Sequence, residues 1–393
     1  MDKLFAKRMD ELVPSGIRKV NEKALAMERA GETVIHFELG RPDFDTPEYI
    51  KNACIEDIKK GDVFYTSNFG TMELREAIAW KLKTQNNVEY KPTEIIVSVG
   101  LSEAVFDVMA AILDEGDEVL VPNPGWLNYL NVPKLLGAVP ITYTLKEEND
   151  YQIDLDEIRA KVTPRTKALV LITPSNPTGG VLAEDVLKEL AEIAVKNDIM
   201  IISDEVYERL LYDDAKHISI ASLPGMKERT ITLNGFSKAY SMTGWRLGWA
   251  VVPEYTIEAV DDLATNYYLC AHTPTQHAAL ACFTPESLAV CEERRQELLA
   301  RRRIVVSGLE RIGLPLEVVP NGAFYAYFNI SSTGLDAWTF CERALEEAHV
   351  ALTPGRDFGP ATADTHVRLS YAASREALTE GLSRLGKFVA SLR

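Results

Sequence analysis

Thr230-Ile231-Thr232-Leu233-Asn234-Gly235-Phe236-Ser237-Lys238-Ala239-Tyr240-Ser241-Met242-Thr243-Gly244-Trp245-Arg246-Leu247-Gly248 joins two strand-like runs through a turn that carries a lysine and an arginine. Residues 230–233 are apolar enough to read as a buried strand, and a second run, 247–252, begins directly after Arg246. Lys238 lies in the small, glycine-flanked turn between them. A lysine held away from water is disfavoured in its charged form and becomes nucleophilic enough to form a Schiff base. Arg246 adds the planar fork that suits a phosphate. A lysine with a phosphate anchor is what a pyridoxal phosphate site needs. Taken alone, the segment also reads as a surface turn with a solvated arginine.

Working outward, five further strand candidates precede this pair, at 94–99, 118–121, 140–144, 168–172 and 199–203. Several are nearly continuous in Val, Ile and Leu, as strands covered on both faces are. Longer helical patterns separate them; Val186, Leu190, Ile193 and Ala194 form one apolar stripe ending near Asn197 and Asp198. The alternation predicts an α/β domain over residues 46–285, built on a seven-stranded, mostly parallel sheet. The last third differs. A charged stretch, 286–311, reads as one connecting helix, followed by an alternating strand at 322–328, a helix at 335–350 and a strand at 366–371. A terminal helix carries Leu378, Leu382, Leu385 and Val389 on one side. Residues 286–393 therefore read as a smaller α+β domain, with residues 1–45 packing against it and Pro14-Ser15-Gly16-Ile17 as a flexible entry.

The 393 residues suffice for two domains, and the 46% apolar and 25% charged fractions are ordinary for a globular protein. A net charge of −16 argues against a nucleic-acid partner. The five cysteines show no CxxC spacing, so neither a zinc site nor a disulfide framework is expected, nor any other metal. The first eight residues lack the apolar core of a signal peptide, and no apolar run approaches the roughly 18 residues of a membrane span. The expected location is the cytoplasm, with no membrane partner.

In open α/β sheets ligands sit beyond the carboxyl ends of the strands, so the residues after each strand candidate are the ones placed to bind. Gly100-Leu101-Ser102 opens a helix whose amides and Ser102 hydroxyl could hold a phosphate, or merely cap it. Pro122-Asn123-Pro124-Gly125-Trp126 presents an indole that could stack on a flat ring or belong to a core. Ser175-Asn176-Pro177-Thr178-Gly179 presents the Asn176 amide on a rigid turn, although Asn-Pro is also good turn chemistry. Asp204 could pair with a protonated pyridine nitrogen and Tyr207 reach the ring hydroxyl, or Asp204 could cap the next helix. Arg368, in an apolar strand, needs a partner: a substrate carboxylate or an internal acid. Six successive segments, each offering a group that one pyridoxal phosphate would use, make the conjunction stronger than any single motif.

On these residues the chain resembles the class I/II aminotransferases of the fold-type I pyridoxal-phosphate family, nearly end to end. The match runs from Leu39-Gly40-Arg41-Pro42-Asp43-Phe44-Asp45-Thr46-Pro47 to His366-Val367-Arg368-Leu369-Ser370. The resemblance implies that Lys238 forms the Schiff base and Asp204 pairs with the pyridine nitrogen. Asn176 and Tyr207 would bind the ring oxygen, and Trp126 would stack on the ring. Arg246, Ser102 and the Leu101 amide would hold the phosphate. Tyr65 would reach a neighbouring subunit's phosphate, which implies a homodimer with shared sites. Arg368 would bind the substrate α-carboxylate near the backbone of Gly40, with Asn176 and Trp126 beside it.

Two departures stand out. The family often has a phosphate-binding Ser or Thr three residues before the lysine; here that residue is Gly235, and Ser237 is the substitute on offer. Members that prefer dicarboxylates often carry a basic residue for the second carboxylate, yet residues 265–270 and 103–113 contain no Lys or Arg. Arg41 replaces an acidic residue usual after the first motif glycine, and either takes that role or makes a structural salt bridge. The expected activity is amino transfer from an L-amino acid to a 2-oxo acid, 2-oxoglutarate by expectation, in a ping-pong reaction. Tyr267 and Tyr268 tilt the donor towards aromatic or apolar amino acids, with aspartate and alanine open. A C–S lyase, cyclase or amino acid oxidase on the same scaffold is the alternative, and a non-catalytic ligand-binding regulator a third.

Overall fold

The computed structural model describes residues 5–392. The chain opens with α1 (Gly16–Arg29), a two-residue β1 (Ile35–His36), α2 (Glu48–Lys60) and α3 (Met72–Gln85). Strands and helices then alternate: β2 (Ile95–Ser98), α4 (Leu101–Ile112), β3 (Glu118–Asn123), α5 (Asn128–Leu135), β4 (Val139–Thr144), α6 (Leu155–Lys161), β5 (Thr166–Ile172), α7 (Glu184–Asn197) and β6 (Met200–Asp204). β7 (Thr230–Gly235), β8 (Gly248–Val251), α8 (Ile257–Tyr267) and α9 (Thr273–Ala279) follow. The last part comprises α10 (Pro285–Arg311), β9 (Tyr325–Asn329), α11 (Ala337–Ala348), β10 (Val350–Ala351), β11 (Thr353–Pro354), β12 (His366–Ser370) and α12 (Arg375–Ser391).

All seven strand candidates form one sheet, in the order β2-β8-β7-β6-β5-β3-β4. β8 pairs antiparallel with both neighbours and every other pairing is parallel. Its reversal matters for the site: β8 starts at the edge where the parallel strands end, with Gly248 opposite both Ser98 and Gly235. The central strands are buried along their length, as their Val, Ile and Leu content requires. Helices cover both faces; α7 buries Leu187, Leu190, Ala191, Ile193 and Ala194 and stops at Asp198, whose φ is 53°. The stripe thus begins at Leu187, and Val186 is only partly covered.

The C-terminal elements surround a three-stranded antiparallel sheet, β11-β12-β9, with Phe324, Phe328, Phe340, Val367 and Leu369 in its core. Its elements are shorter than their sequence patterns. α11 begins after Asp336, whose carboxylate caps the Thr339 amide, and ends where His349 turns left-handed (φ 55°). The alternating strand starts only at Tyr325, because Ala323 takes a positive φ of 55° and Gly322 instead bridges to Leu211. α1 packs Val20 and Ala24 against Leu345 and Ala351, while β1 pairs with β10. The entry to α1 is anchored rather than loose, because Asp357 accepts hydrogen bonds from the Gly16 amide (2.6 Å) and the Ile17 amide (3.3 Å). All five cysteines are free thiols. No helix among the described residues is long and apolar enough to cross a membrane.

Candidate active site

A cavity of about 430 Å³ opens at the carboxyl edge of the large sheet. Lys238, Asp204, Tyr207, Leu101, Ser102, Trp126, Asn176, Arg246, Gly40 and Arg368 all line it. Tyr65 does not; it is exposed on the surface of the single chain. Strand register explains the convergence. Ile172 pairs with Asp204, and Asp204 with Leu233, so the turns after β5, β6 and β7 leave the sheet side by side. Because β8 runs the other way, Arg246 just before it and Gly100 just after β2 meet at the same edge.

That meeting has no room for side chains. A Cβ on Gly100 (φ 78°) would lie 2.4 Å from Arg246 Nη2, and one on Gly248 would lie 2.7 Å from the Leu101 amide nitrogen. Gly235 is less constrained: a Cβ there would stand 3.1 Å from both Gly248 Cα and the Leu247 carbonyl oxygen. Gly235 therefore leaves β7 and β8 closely apposed, and Ser237, with Ser102 and Thr243, is among the hydroxyl residues lining the cavity. Among the described residues Arg246 donates only to the carbonyls of Thr243 (3.1 Å) and Val99 (3.5 Å). With the N-terminus of α4 beside it, this cradle is made for an anion.

Asp204 is buried and accepts from the Tyr129 hydroxyl (2.9 Å) and the Val206 amide (3.2 Å). The Val206 bond is local, but no helix follows, so Asp204 is not a helix cap. Burial pushes its carboxyl up to about 6, against the opposing hydrogen bonds. It is therefore ionised at neutral pH and suited to a cationic ring nitrogen. The turn after it is tied down from below. Glu205 accepts from Ser203, Ser219 and His217, and Glu208 pairs with Lys81 and accepts from Asn86 and Asn234.

Lys238 Nζ reaches the cavity and donates to the Gly40 carbonyl (2.7 Å). Its dense surroundings lower the amine to about 8, with repulsion from Arg368 next in importance. Above that pH the amine is neutral and nucleophilic. The rate at which the apoprotein captures pyridoxal phosphate should therefore rise through about pH 8 and level off beyond it, followed by stopped-flow absorbance. A rate flat from about pH 7 to 9 would contradict this.

Arg368 lies in the middle of β12 and is buried. It donates to Asn176 Oδ1 (2.8 Å) and the Glu38 carbonyl (2.6 Å), and its guanidinium lies over Tyr325, 4.4 Å from the ring centroid. No internal acid forms an ion pair with it among the described residues, although the buried Asp357 carboxylate is close enough to feel its charge, and its Nε has no partner. The cation on the cavity wall suits an incoming carboxylate. Arg41 is exposed and lines a separate surface hollow, without the salt bridge expected for it.

Two site residues escape sequence reading. Tyr129, in the first turn of α5, stands three residues beyond Trp126 and edge-on to it at 5.5 Å between centroids, and that spacing was the available signal. Tyr325 bonds the Tyr207 hydroxyl (2.7 Å) and blocks any side chain at Gly40, where a Cβ would lie 2.4 Å from its oxygen. The set fits pyridoxal phosphate: an anion cradle, a carboxylate at ring depth, a low-pKa lysine and an indole wall.

A family model described as aminotransferase class I and II matches residues 32–385. An aspartate aminotransferase of Pyrococcus abyssi is 45% identical over 382 residues, 97% of either chain. Aromatic-amino-acid aminotransferase 2 of Thermococcus litoralis is 42% identical, again over 97% of each. The structure of aspartate aminotransferase from Thermus thermophilus with maleate superposes with a TM-score of 0.93 at 39% identity, covering 98% of this chain and 99% of that one.

Proposed function

The chain belongs to the aminotransferase class I and II family and is a pyridoxal-phosphate-dependent amino acid aminotransferase; from that premise we propose its substrates and the roles of its residues. The donor is an L-amino acid, aromatic or apolar by preference, with aspartate and alanine as competitors, and 2-oxoglutarate is the acceptor. The observation that carries the site assignment is the convergence of Lys238, Asp204, Arg246 and Arg368 on one cavity wall.

Pyridoxal phosphate supplies a carbonyl that takes up the amino group and a ring that stores the electron pair released at Cα. Arg246, Ser102 and the Leu101 amide would hold its phosphate. Asp204, kept ionised and oriented by Tyr129, would keep the ring nitrogen a cation. Asn176 and Tyr207 would donate to the ring oxygen, and Trp126 would help to exclude water. Arg368 orients the substrate by its α-carboxylate, so that the Cα proton points at Lys238 Nζ. Lys238 is the group that would hold and move the Cα proton, which its lowered pKa allows near neutral pH.

Residues 46–285 hold the cofactor, while 286–393, with 1–45 packed on them, present Arg368. The enzyme works as a homodimer in the cytoplasm. Val63, Phe64, Tyr65, Tyr267 and Leu269 are exposed, and the Asn68–Thr265 (2.6 Å) and Thr273–Phe64 (2.6 Å) hydrogen bonds hold these segments together as one patch. Tyr65 on that patch serves the partner's phosphate. Sedimentation of the holoenzyme should give twice the monomer mass, and a monomer at micromolar concentration would contradict it.

Single-turnover mixing with each standard amino acid, without an acceptor, tests the reaction. The cofactor absorbance should change with several donors, fastest with aromatic or apolar ones, and 2-oxoglutarate should restore it. Release of ammonia, or aspartate far outrunning phenylalanine and leucine, would overturn the reaction or the donor tilt respectively.

A further inference from the structure

Two phenol hydroxyls meet in the cavity wall, those of Tyr207 and Tyr325, 2.7 Å apart. Both residues are buried, and among the described residues neither hydroxyl has another hydrogen-bond partner. They come from different parts of the fold: Tyr207 follows β6, and Tyr325 opens β9. Their rings stand edge-on with centroids 5.7 Å apart, and Phe324 packs on Tyr207 in the same way at 5.6 Å. The segment before Tyr325 is bonded through its backbone to two turns at the edge of the large sheet. Gly322 donates its amide to the Gly179 carbonyl (2.8 Å), and Ala323 donates to the Leu210 carbonyl (2.9 Å). The pair is therefore fixed by its neighbouring turns and not by the hydroxyl contact alone.

Three charged groups face the pair. Arg368 on β12 lies over the Tyr325 ring, Lys238 in the turn after β7 has its amine 5.9 Å from the Tyr207 ring centroid, and Asp204 stands at the end of β6. None of them bonds either hydroxyl. The proton count then sets the direction of the pair. Each phenol has one proton to donate and lone pairs with which to accept. A Tyr207 that donates to the ring oxygen has no proton left for Tyr325, so the contact between them is made by the Tyr325 proton. In the opposite direction Tyr207 would donate to Tyr325 and offer the ring oxygen only a lone pair.

We propose that Tyr325 is a positioning residue for the transamination: its hydroxyl donates to Tyr207 and so commits the Tyr207 proton to the ring oxygen of the cofactor. This rests on the proposed role of Tyr207 at that oxygen. Hydrogen bonds in a chain polarise one another, so Tyr325 makes Tyr207 a stronger donor than it would be alone. A stronger donor draws charge from the ring oxygen and weakens its hold on the proton of the nitrogen that joins Lys238 to the cofactor. Acting through Tyr207, Tyr325 lets that proton leave at lower pH.

The test is a double-mutant cycle on the holoenzyme, with Tyr207→Phe, Tyr325→Phe and both together, read as the pH midpoint of the bound cofactor's absorbance change. Tyr325→Phe should raise the midpoint by roughly 0.3–0.8 pH units, Tyr207→Phe should raise it further, and the Tyr325 effect should vanish in the Tyr207→Phe background. Tyr327→Phe removes another buried hydroxyl of β9, one that bonds Thr362, and should leave the midpoint in place. An unmoved midpoint in Tyr325→Phe, an equal Tyr325 effect in both backgrounds, or the same shift in Tyr327→Phe would overturn the proposal. An unmoved midpoint in Tyr207→Phe would overturn it too, by removing Tyr207 from the ring oxygen, and that failure is told apart by where in the cycle the shift is lost.

Discussion

Lys238→Ala should lower transamination by at least about 10³-fold while leaving the fold in place, because it removes both the nucleophile and the group that moves the Cα proton. The side chain's one hydrogen bond in the chain is to the Gly40 carbonyl, which faces the cavity and can be rehydrated. Its ammonium is also disfavoured where it stands, since burial and two arginines lower it to about 8. Losing it therefore costs little stability, and the thermal midpoint should stay within about 3 °C. Reduction with borohydride followed by mass spectrometry gives a direct reading. The unmodified protein should carry the cofactor mass on the peptide containing Lys238, and the variant on none. Cofactor fixed to another lysine, or activity retained within tenfold, would remove Lys238 from its role.

Arg368→Ala should lower kcat/KM for every amino acid by a similar factor, roughly 10²- to 10³-fold, since all share the α-carboxylate. Two bonds from a buried cation to that group contribute roughly 3–4 kcal/mol, each tenfold in rate corresponding to about 1.4 kcal/mol. The arginine also packs on Tyr325 and Phe358 and donates to Asn176 and the Glu38 carbonyl, so an alanine leaves space behind. Arg368→Lys keeps most of that packing and the charge but not the fork, and should recover only part of the activity. Steady-state kinetics with one aromatic, one aliphatic and one acidic donor decide the matter. A loss confined to one of these classes would reassign Arg368 to side-chain recognition.

Much of this site was open to sequence reading, for a local reason. Gly100, Asn176, Asp204 and Lys238 each follow an apolar run, and the chain leaves a parallel sheet where such a run ends. Each group's position relative to the sheet edge was therefore encoded within a few residues of itself. Tyr325 was hidden in an alternating strand that reads as core, and it is core on one count and cavity wall on another. On α7 the expected Leu190, Ile193 and Ala194 are buried, with Leu187 and Ala191 widening the stripe and Val186 at its margin.

Pairings were a different matter. Whether Arg368 met an internal acid, whether Arg41 found a salt bridge and which group held Asp204 all depended on segments far away in the chain. Tyr129 lies 75 residues from the Asp204 it bonds, Asn176 is 192 residues from Arg368, and Gly16 is 341 residues from the Asp357 that anchors α1. The sequence by itself determined the strand order of events along the chain, the class of sheet and the chemistry at each strand end, because hydrophobic period and turn composition act over short stretches. Only the tertiary structure decided which charges stand unpaired on the cavity wall. Pairing is settled by angstrom-scale distances between elements, and those follow from how the sheet, α1 and the C-terminal strands pack together.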